Sequence, residues 1–278
     1  MKIAIASGKG GTGKTTIATN LSYYLAGAGC SVTLLDCDVE EPNCHLFLNP
    51  RWERSYTVSM PVPQVDVNKC NGCGICSDLC QFSAIVTVNK TTLTFPELCH
   101  GCGLCTRVCE PGAISEVPRE IGTVEAGSTC GFKFIHGKLR IGEAMSPPLI
   151  KEVKKNADPV GVTIIDCPPG TSCPVIAAVK GTDSVLLVTE PTPFGLNDLQ
   201  LAVEMVREVG IPFAVAINRA DVGDNRVKEY CSREDIRVLL EIPEDREIAK
   251  IYSTGGLVLK ALPKYTEKFR TLAERLGV

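Results

Sequence analysis

The chain is poor in histidine and aromatic residues, with three His, one Trp and only 5 % Phe, Trp and Tyr together in 278 residues. With so few imidazoles, the metal chemistry expected here is thiolate chemistry. A surplus of Lys and Arg is also missing: the formal net charge is −3 and the sequence pI is near 5.8, which excludes a basic nucleic-acid surface. No apolar run approaches the ~20 residues of a membrane span, and the apolar start at Met1–Ala6 is too short for a signal peptide. Cysteine is what the chain has in excess, with 15 residues. Disulfide scaffolds are short and core-poor, whereas this chain is 44 % hydrophobic. Reduced, metal-bound thiols in a cytoplasmic protein are therefore expected.

Eight of the cysteines form two runs of identical spacing, Cys70, Cys73, Cys76, Cys80 and Cys99, Cys102, Cys105, Cys109. In tandem CxxCxxCxxxC runs, three close thiolates grip one face of a 4Fe–4S cubane and the fourth reaches the other cluster. That rule assigns Cys70, Cys73, Cys76 and Cys109 to one cluster, and Cys99, Cys102, Cys105 and Cys80 to the second. Zinc also uses CxxC pairs, but the third Cys two residues on and the crossed fourth argue against it. Gly72, Gly74, Gly101 and Gly103 flank the second Cys of each run and suit close backbone approach to sulfur. The segment repeats itself, Cys80–Ile85 matching Cys109–Ile114. It resembles a bacterial two-cluster ferredoxin. The Pro that commonly follows the fourth Cys is Gln81 in one half and shifted to Pro111 in the other.

Around this segment the pattern is α/β. Apolar β-branched runs at residues 2–6, 31–35, 162–165, 184–189, 213–217 and 236–240 predict strands, with helices at 14–28 and 196–209 the clearest. Near-continuous apolar strands alternating with helices predict a mostly parallel sheet covered on both faces. The expected division is one α/β domain over 1–60 and 118–278, with an inserted ferredoxin-like domain over 61–117.

Gly8, Lys9, Gly10, Gly11, Thr12, Gly13, Lys14 and Thr15, followed by Thr16, fit GxxxxGK(S/T) between a strand and a helix. Backbone N–H groups of such a loop converge on phosphate oxygens, the second Lys meets the β/γ phosphates, and the Thr hydroxyl joins the Mg²⁺ shell. The extra Lys9 makes the loop resemble the deviant phosphate loop of the MinD, ParA, Mrp and nitrogenase iron protein family. Asp36-x-Asp38-x3-Pro42-Asn43 is similar to that family's first switch and Asp166-x-Pro168-Pro169-Gly170 to its second. The resemblance implies a Mg²⁺-dependent ATPase that dimerises around two ATP molecules, with Lys9 completing the partner's site. It also implies catalytic roles for Lys9, Lys14 and Asp38, with Asp36 and Asp166 serving Mg²⁺ beside Thr15. Asn218-Arg219 resembles the base-contacting step, with Pro243 near the base; a plain strand-end polar pair is the alternative for Arg219.

Of the remaining cysteines, Cys30 and Cys231 read as core residues. Cys173 follows Asp166 by seven residues, near where the nitrogenase iron protein has a cluster ligand. Cys173, with Cys130, is therefore the candidate for a dimer-bridging cluster. Tyr265, Phe269, Leu272 and Leu276 form a helical stripe that reads as packing rather than a membrane tail. Three functions are expected to compete: ATP-gated electron transfer to an unidentified redox protein or metalloprotein, assembly or carriage of iron–sulfur or other metallocofactors, and positioning with redox-sensing clusters.

Overall fold

The computed structural model describes residues 1–278. Its strands are β1 (Lys2–Ala6), β2 (Val32–Asp36), β3 (Arg51–Val65), β4 (Ile85–Val88), β5 (Thr91–Thr94), β6 (Ile114–Thr129), β7 (Phe132–Leu139), β8 (Val162–Asp166), β9 (Ser184–Thr189), β10 (Phe213–Asn218) and β11 (Val238–Ile242). Its α-helices are α1 (Lys14–Gly27), α2 (Cys44–Leu48), α3 (Ile75–Asp78), α4 (Leu104–Arg107), α5 (Pro147–Lys154), α6 (Cys173–Val179), α7 (Pro193–Val209), α8 (Arg226–Arg233), α9 (Arg246–Ser253), α10 (Val258–Ala261) and α11 (Thr266–Leu276). None is long and apolar enough to cross a membrane.

The sheet runs β11-β10-β9-β1-β8-β2-β7-β6-β3, and every pairing from β11 to β7 is parallel. The predicted apolar strands fill the sheet from its β11 edge to β2, with β2 and β8 buried at every residue. The last of them sits two residues later than its apolar run suggests, at Val238–Ile242. Strands β3, β6 and β7 were not expected. β3 and β6 alternate exposed and buried residues and carry Pro61, Pro63 and Pro118; β3, with two of these prolines, is an edge strand, where a missing N–H is tolerated.

Two compact units emerge: Met1–Tyr56 with Val124–Lys138 and Ile150–Val278, and Thr57–Thr123 with Leu139–Leu149. The second unit thus takes in residues beyond 61–117, because β3 and β6 continue past both expected boundaries. In the first unit, Tyr265, Phe269 and Leu272 are buried in the same core as Ile17, Leu21 and Leu25 of α1.

In the second unit the sequence repeat becomes a structural one. Gly74 and Gly103, both at positive φ, start the one-turn helices α3 and α4. The equivalent pairs Ala84/Ala113 and Ile85/Ile114 are all buried. β4 and β5 form a hairpin whose turn places Asn89 and Lys90 at φ 48° and 65°. The Glu143 side chain is covered here, 1 % exposed, and accepts from Arg119 at 2.5 and 3.1 Å and from the Met145 amide at 3.1 Å. Its hydrogen bonds to Arg119, acting against burial, hold its carboxyl below the ordinary range.

A depressed folded-state pKa contributes stability above the unfolded value, lost as pH falls through the folded one. Glu143→Gln is expected to cost about 1–2 kcal/mol at neutral pH and progressively less at acid pH, as the native carboxyl titrates through its depressed folded-state value. Urea unfolding of both proteins at neutral and acid pH checks this; equal losses at both would refute the charge pairing.

Candidate functional site

The C-terminal ends of the parallel strands bring most of the predicted nucleotide residues to one edge, where open α/β sheets bind ligands. β1 leads into the phosphate loop, β2 ends at Asp36, β8 at Asp166 and β10 at Asn218; Pro243 follows β11. The cavity at this edge has a volume of about 390 Å³. Gly10, Gly11, Gly13, Lys14, Thr15 and Thr16 line one side; Asp38 and Pro169 come from the two switch segments, and Asn218, Arg219 and Pro243 also face it.

Local packing explains the glycines. A Cβ on Gly8 would stand 2.1 Å from the Asp198 carbonyl oxygen of α7. Gly13, at φ 97°, would meet the Asn218 amide nitrogen at 2.5 Å. That amide donates to the Thr12 carbonyl at 3.0 Å, so Asn218 holds the loop while bordering the cavity. Lys14 is buried, and its ammonium donates to Ser7 Oγ at 3.0 Å.

Asp36 and Asp166 are register partners on adjacent strands and both are buried. Asp36 accepts the amides of Asp38, Asn43 and Cys44 at 3.0–3.1 Å. It therefore fastens the first switch segment and supplies the N-terminal cap that Asn43 does not give α2. Asp166 Oδ2 accepts from the Thr15 hydroxyl at 2.7 Å and the Cys44 thiol at 3.3 Å, while its Oδ1 is buried without a partner. Ligating atoms of Asp36, Cys44 and Asp166 lie within 4.8 Å of one another. An orphaned carboxylate oxygen beside the Thr15 hydroxyl fits a small hard cation such as Mg²⁺. Burial pushes both carboxyls up, Asp36 further through repulsion from Asp166. Asp38 is pushed up to about 6, chiefly by burial and then by Asp166, against the pull of Lys14.

Two residues escaped the sequence reading. Ser7 precedes the motif and links Lys14 to the loop, donating to the Lys9 carbonyl at 2.5 Å. Glu190 follows β9 and is mostly buried between Lys9, at 3.6 Å, and Arg219, at 3.0 Å. Its place just after a central parallel strand was the available signal.

In the other unit, Cys76, Cys80, Cys99, Cys102 and Cys105 line a cavity of about 250 Å³. Cys70, Cys73, Cys76 and Cys109 line another. Each crossed set of four thus meets in one cavity, and Cys76 borders both. Amides of Gly101 and Ala113 point at the sulfurs of Cys99 and Cys109, each at 3.3 Å. Gly72, Gly74, Gly101 and Gly103 all have positive φ. This thiol-rich set with amides aimed at sulfur fits iron–sulfur clusters.

Cys130 lies in the turn before β7 and Cys173 just beyond the loop that follows β8. β7 and β8 run parallel on either side of β2, His136 and Asp166 both pairing with Asp36. The two cysteines therefore flank opposite ends of the sheet, about 15 Å or more apart at ~3.3 Å per residue. Both are exposed, but they do not form one ligand set within a chain.

Residues 3–258 match the CobQ/CobB/MinD/ParA nucleotide binding domain. An uncharacterized protein of Methanocaldococcus jannaschii is 34 % identical over 99 % of this chain and 96 % of its own length. An iron-sulfur cluster carrier protein of Pyrococcus abyssi is 24 % identical over 99 % of this chain and 85 % of its own. Among solved structures, the septum site-determining protein MinD of Pyrococcus horikoshii, complexed with Mg-ADP, has a TM-score of 0.63 at 21 % identity, covering 99 % of this chain and 95 % of that one. The strand-end cavity, its glycine loop and these likenesses agree: the chain belongs to the CobQ/CobB/MinD/ParA family of nucleotide-binding proteins.

Proposed function

We propose that this protein is a Mg²⁺-dependent ATPase that dimerises on ATP, holds two resident 4Fe–4S clusters and uses nucleotide state to gate electron transfer to a redox partner. The observation that carries the redox part is the sorting of the crossed cysteine sets into two cavities.

Phosphoryl transfer asks for positioning and charge neutralisation rather than covalent help. The loop amides and Lys14 bind the triphosphate, Asp38 orients the attacking water, and Lys9 of the opposite chain completes the site. Thr15 and Asp166 hold the cation, which when bound neutralises phosphate charge; Asp36 keeps the first switch in register with them. In the isolated chain, Glu190 keeps Lys9 on its own side. Cys70, Cys73, Cys76 and Cys109 hold one cluster and Cys80, Cys99, Cys102 and Cys105 the other; bound clusters supply one-electron storage. A second reading, delivery of clusters to acceptor proteins, is favoured by the likeness to the iron-sulfur cluster carrier protein of Pyrococcus abyssi.

Lys14→Ala is expected to abolish ATP binding in calorimetry. Lys9→Ala should still bind, yet fail to dimerise in light scattering and fail to turn over; normal turnover would refute completion in trans. Glu190→Gln should dimerise at lower ATP concentration than the native chain, and an unchanged or higher requirement would refute the restraint on Lys9.

Anaerobically purified protein should contain about eight iron atoms per chain, and Cys109→Ser about half that number. Dithionite should bleach the clusters reversibly, and the iron should stay with the chain through ATP turnover. Movement of iron to an apo-acceptor during turnover would overturn residence in favour of carriage.

A further inference from the structure

Cys37 and Cys167 belong to neither cluster set and do not line the nucleotide cavity. Each is the first residue past a strand end, Cys37 after Asp36 and Cys167 after Asp166. The Cys37 amide donates to the Asp166 carbonyl at 2.8 Å, which continues the β2–β8 ladder and sets the two cysteines directly opposite each other. Residues paired across parallel strands point to the same face. Neighbouring strands lie about 4.8 Å apart, inside the Cα separation of about 4.4–6.8 Å that a disulfide requires. Both thiols are fully buried.

A third group faces the pair. Lys154, at the end of α5, donates to the carbonyls of Ala177, Ala178 and Lys180 at 2.6–2.9 Å, closing the C-terminus of α6. Its ammonium favours the charged form of both thiols, while burial opposes it more strongly. Asp36 and Asp166 add further opposition at Cys37.

We propose that Cys37 and Cys167 are a redox modification site whose intramolecular disulfide ties the first switch segment to the second. In the step, both S–H bonds break and one S–S bond forms. Two electrons and two protons pass to an azodicarboxamide oxidant such as diamide, which leaves as the hydrazine. A dithiol reductant reverses it. The bond would join the residues between Asp36 and Asp38 on one side and between Asp166 and Pro168 on the other. Asp38 and Pro169 both line the nucleotide cavity, so their spacing would be fixed. The effect on turnover rests on the ATPase reading above; the cross-link does not.

The test treats anaerobic, cluster-loaded full-length protein with diamide and maps peptides without reduction. A peptide pair whose fragment ions place the bridge at Cys37 and Cys167 is expected, absent from Cys37→Ala and Cys167→Ala. Recovery of both thiols free, or their pairing with other cysteines, would overturn the proposal. The bridged protein should lose about tenfold or more of its ATP turnover, the scale of an ångström misplacement in an active site. Dithiol should restore it, and the double Ala variant should not respond. Bridge formation with unchanged turnover would overturn the coupling between the switches while leaving the modification site standing, and absence of turnover before oxidation would count against the ATPase reading alone.

Discussion

Asp36 and Asp166 stand opposite each other at the ends of adjacent parallel strands, both out of reach of water. Two like charges in such a place raise each other's cost, and burial raises it further. The chain offsets this with fixed donors: three amides on Asp36, and the Thr15 hydroxyl and Cys44 thiol on Asp166. These donors come from the phosphate loop and the first switch, while the second switch continues directly from Asp166. Any change in the charge facing the pair is therefore felt at once by all three segments. A charge-sensitive junction of this kind is what a nucleotide-driven switch requires.

The central strands were readable because burial on both faces leaves them as unbroken apolar runs. The phosphate loop was readable because close approach forces glycine at Gly8 and Gly13. β3 and β6 were hidden, since residues such as Arg51, Glu53, Pro61 and Pro118 belong to partly exposed strands with no continuous apolar signal. Glu190 and Ser7 were hidden for another reason. Their meaning comes from Lys9, Lys14 and Arg219, which approach from elsewhere in the chain. The places of Cys130 and Cys173 were hidden too, because residue type says nothing about which end of a sheet a loop occupies; the β2–β7 and β2–β8 registers decide that.

The cysteine-bearing unit carries its own constraint. Around the thiols the buried core is Cys76, Ile85 and Ile114, with Val65, Cys80, Cys105 and Cys109 packed against it. The candidate ligands are thus a large part of what there is to pack. Small units with sparse apolar cores gain stability from metal, and binding free energy then becomes folding free energy. The repeat keeps Ala84 and Ala113, and Ile85 and Ile114, buried at equivalent places, so each half offers its cavity the same walls.

This symmetry bears on whether clusters stay or leave. A site closed by four thiolates of one chain offers an acceptor no open position, much as structural zinc sites are closed where catalytic ones are not. Each crossed set here is complete without a second chain. The one strongly exposed ligand in each run is its second cysteine, Cys73 or Cys102, while Cys76 and Cys99 are buried. The most open corner of each cavity is thereby that second cysteine, with Cys70, Cys80, Cys105 and Cys109 half-buried. Under the function proposed above, that arrangement would suit passage of an electron, which breaks no iron–thiolate bond, better than passage of a cubane, which must break four.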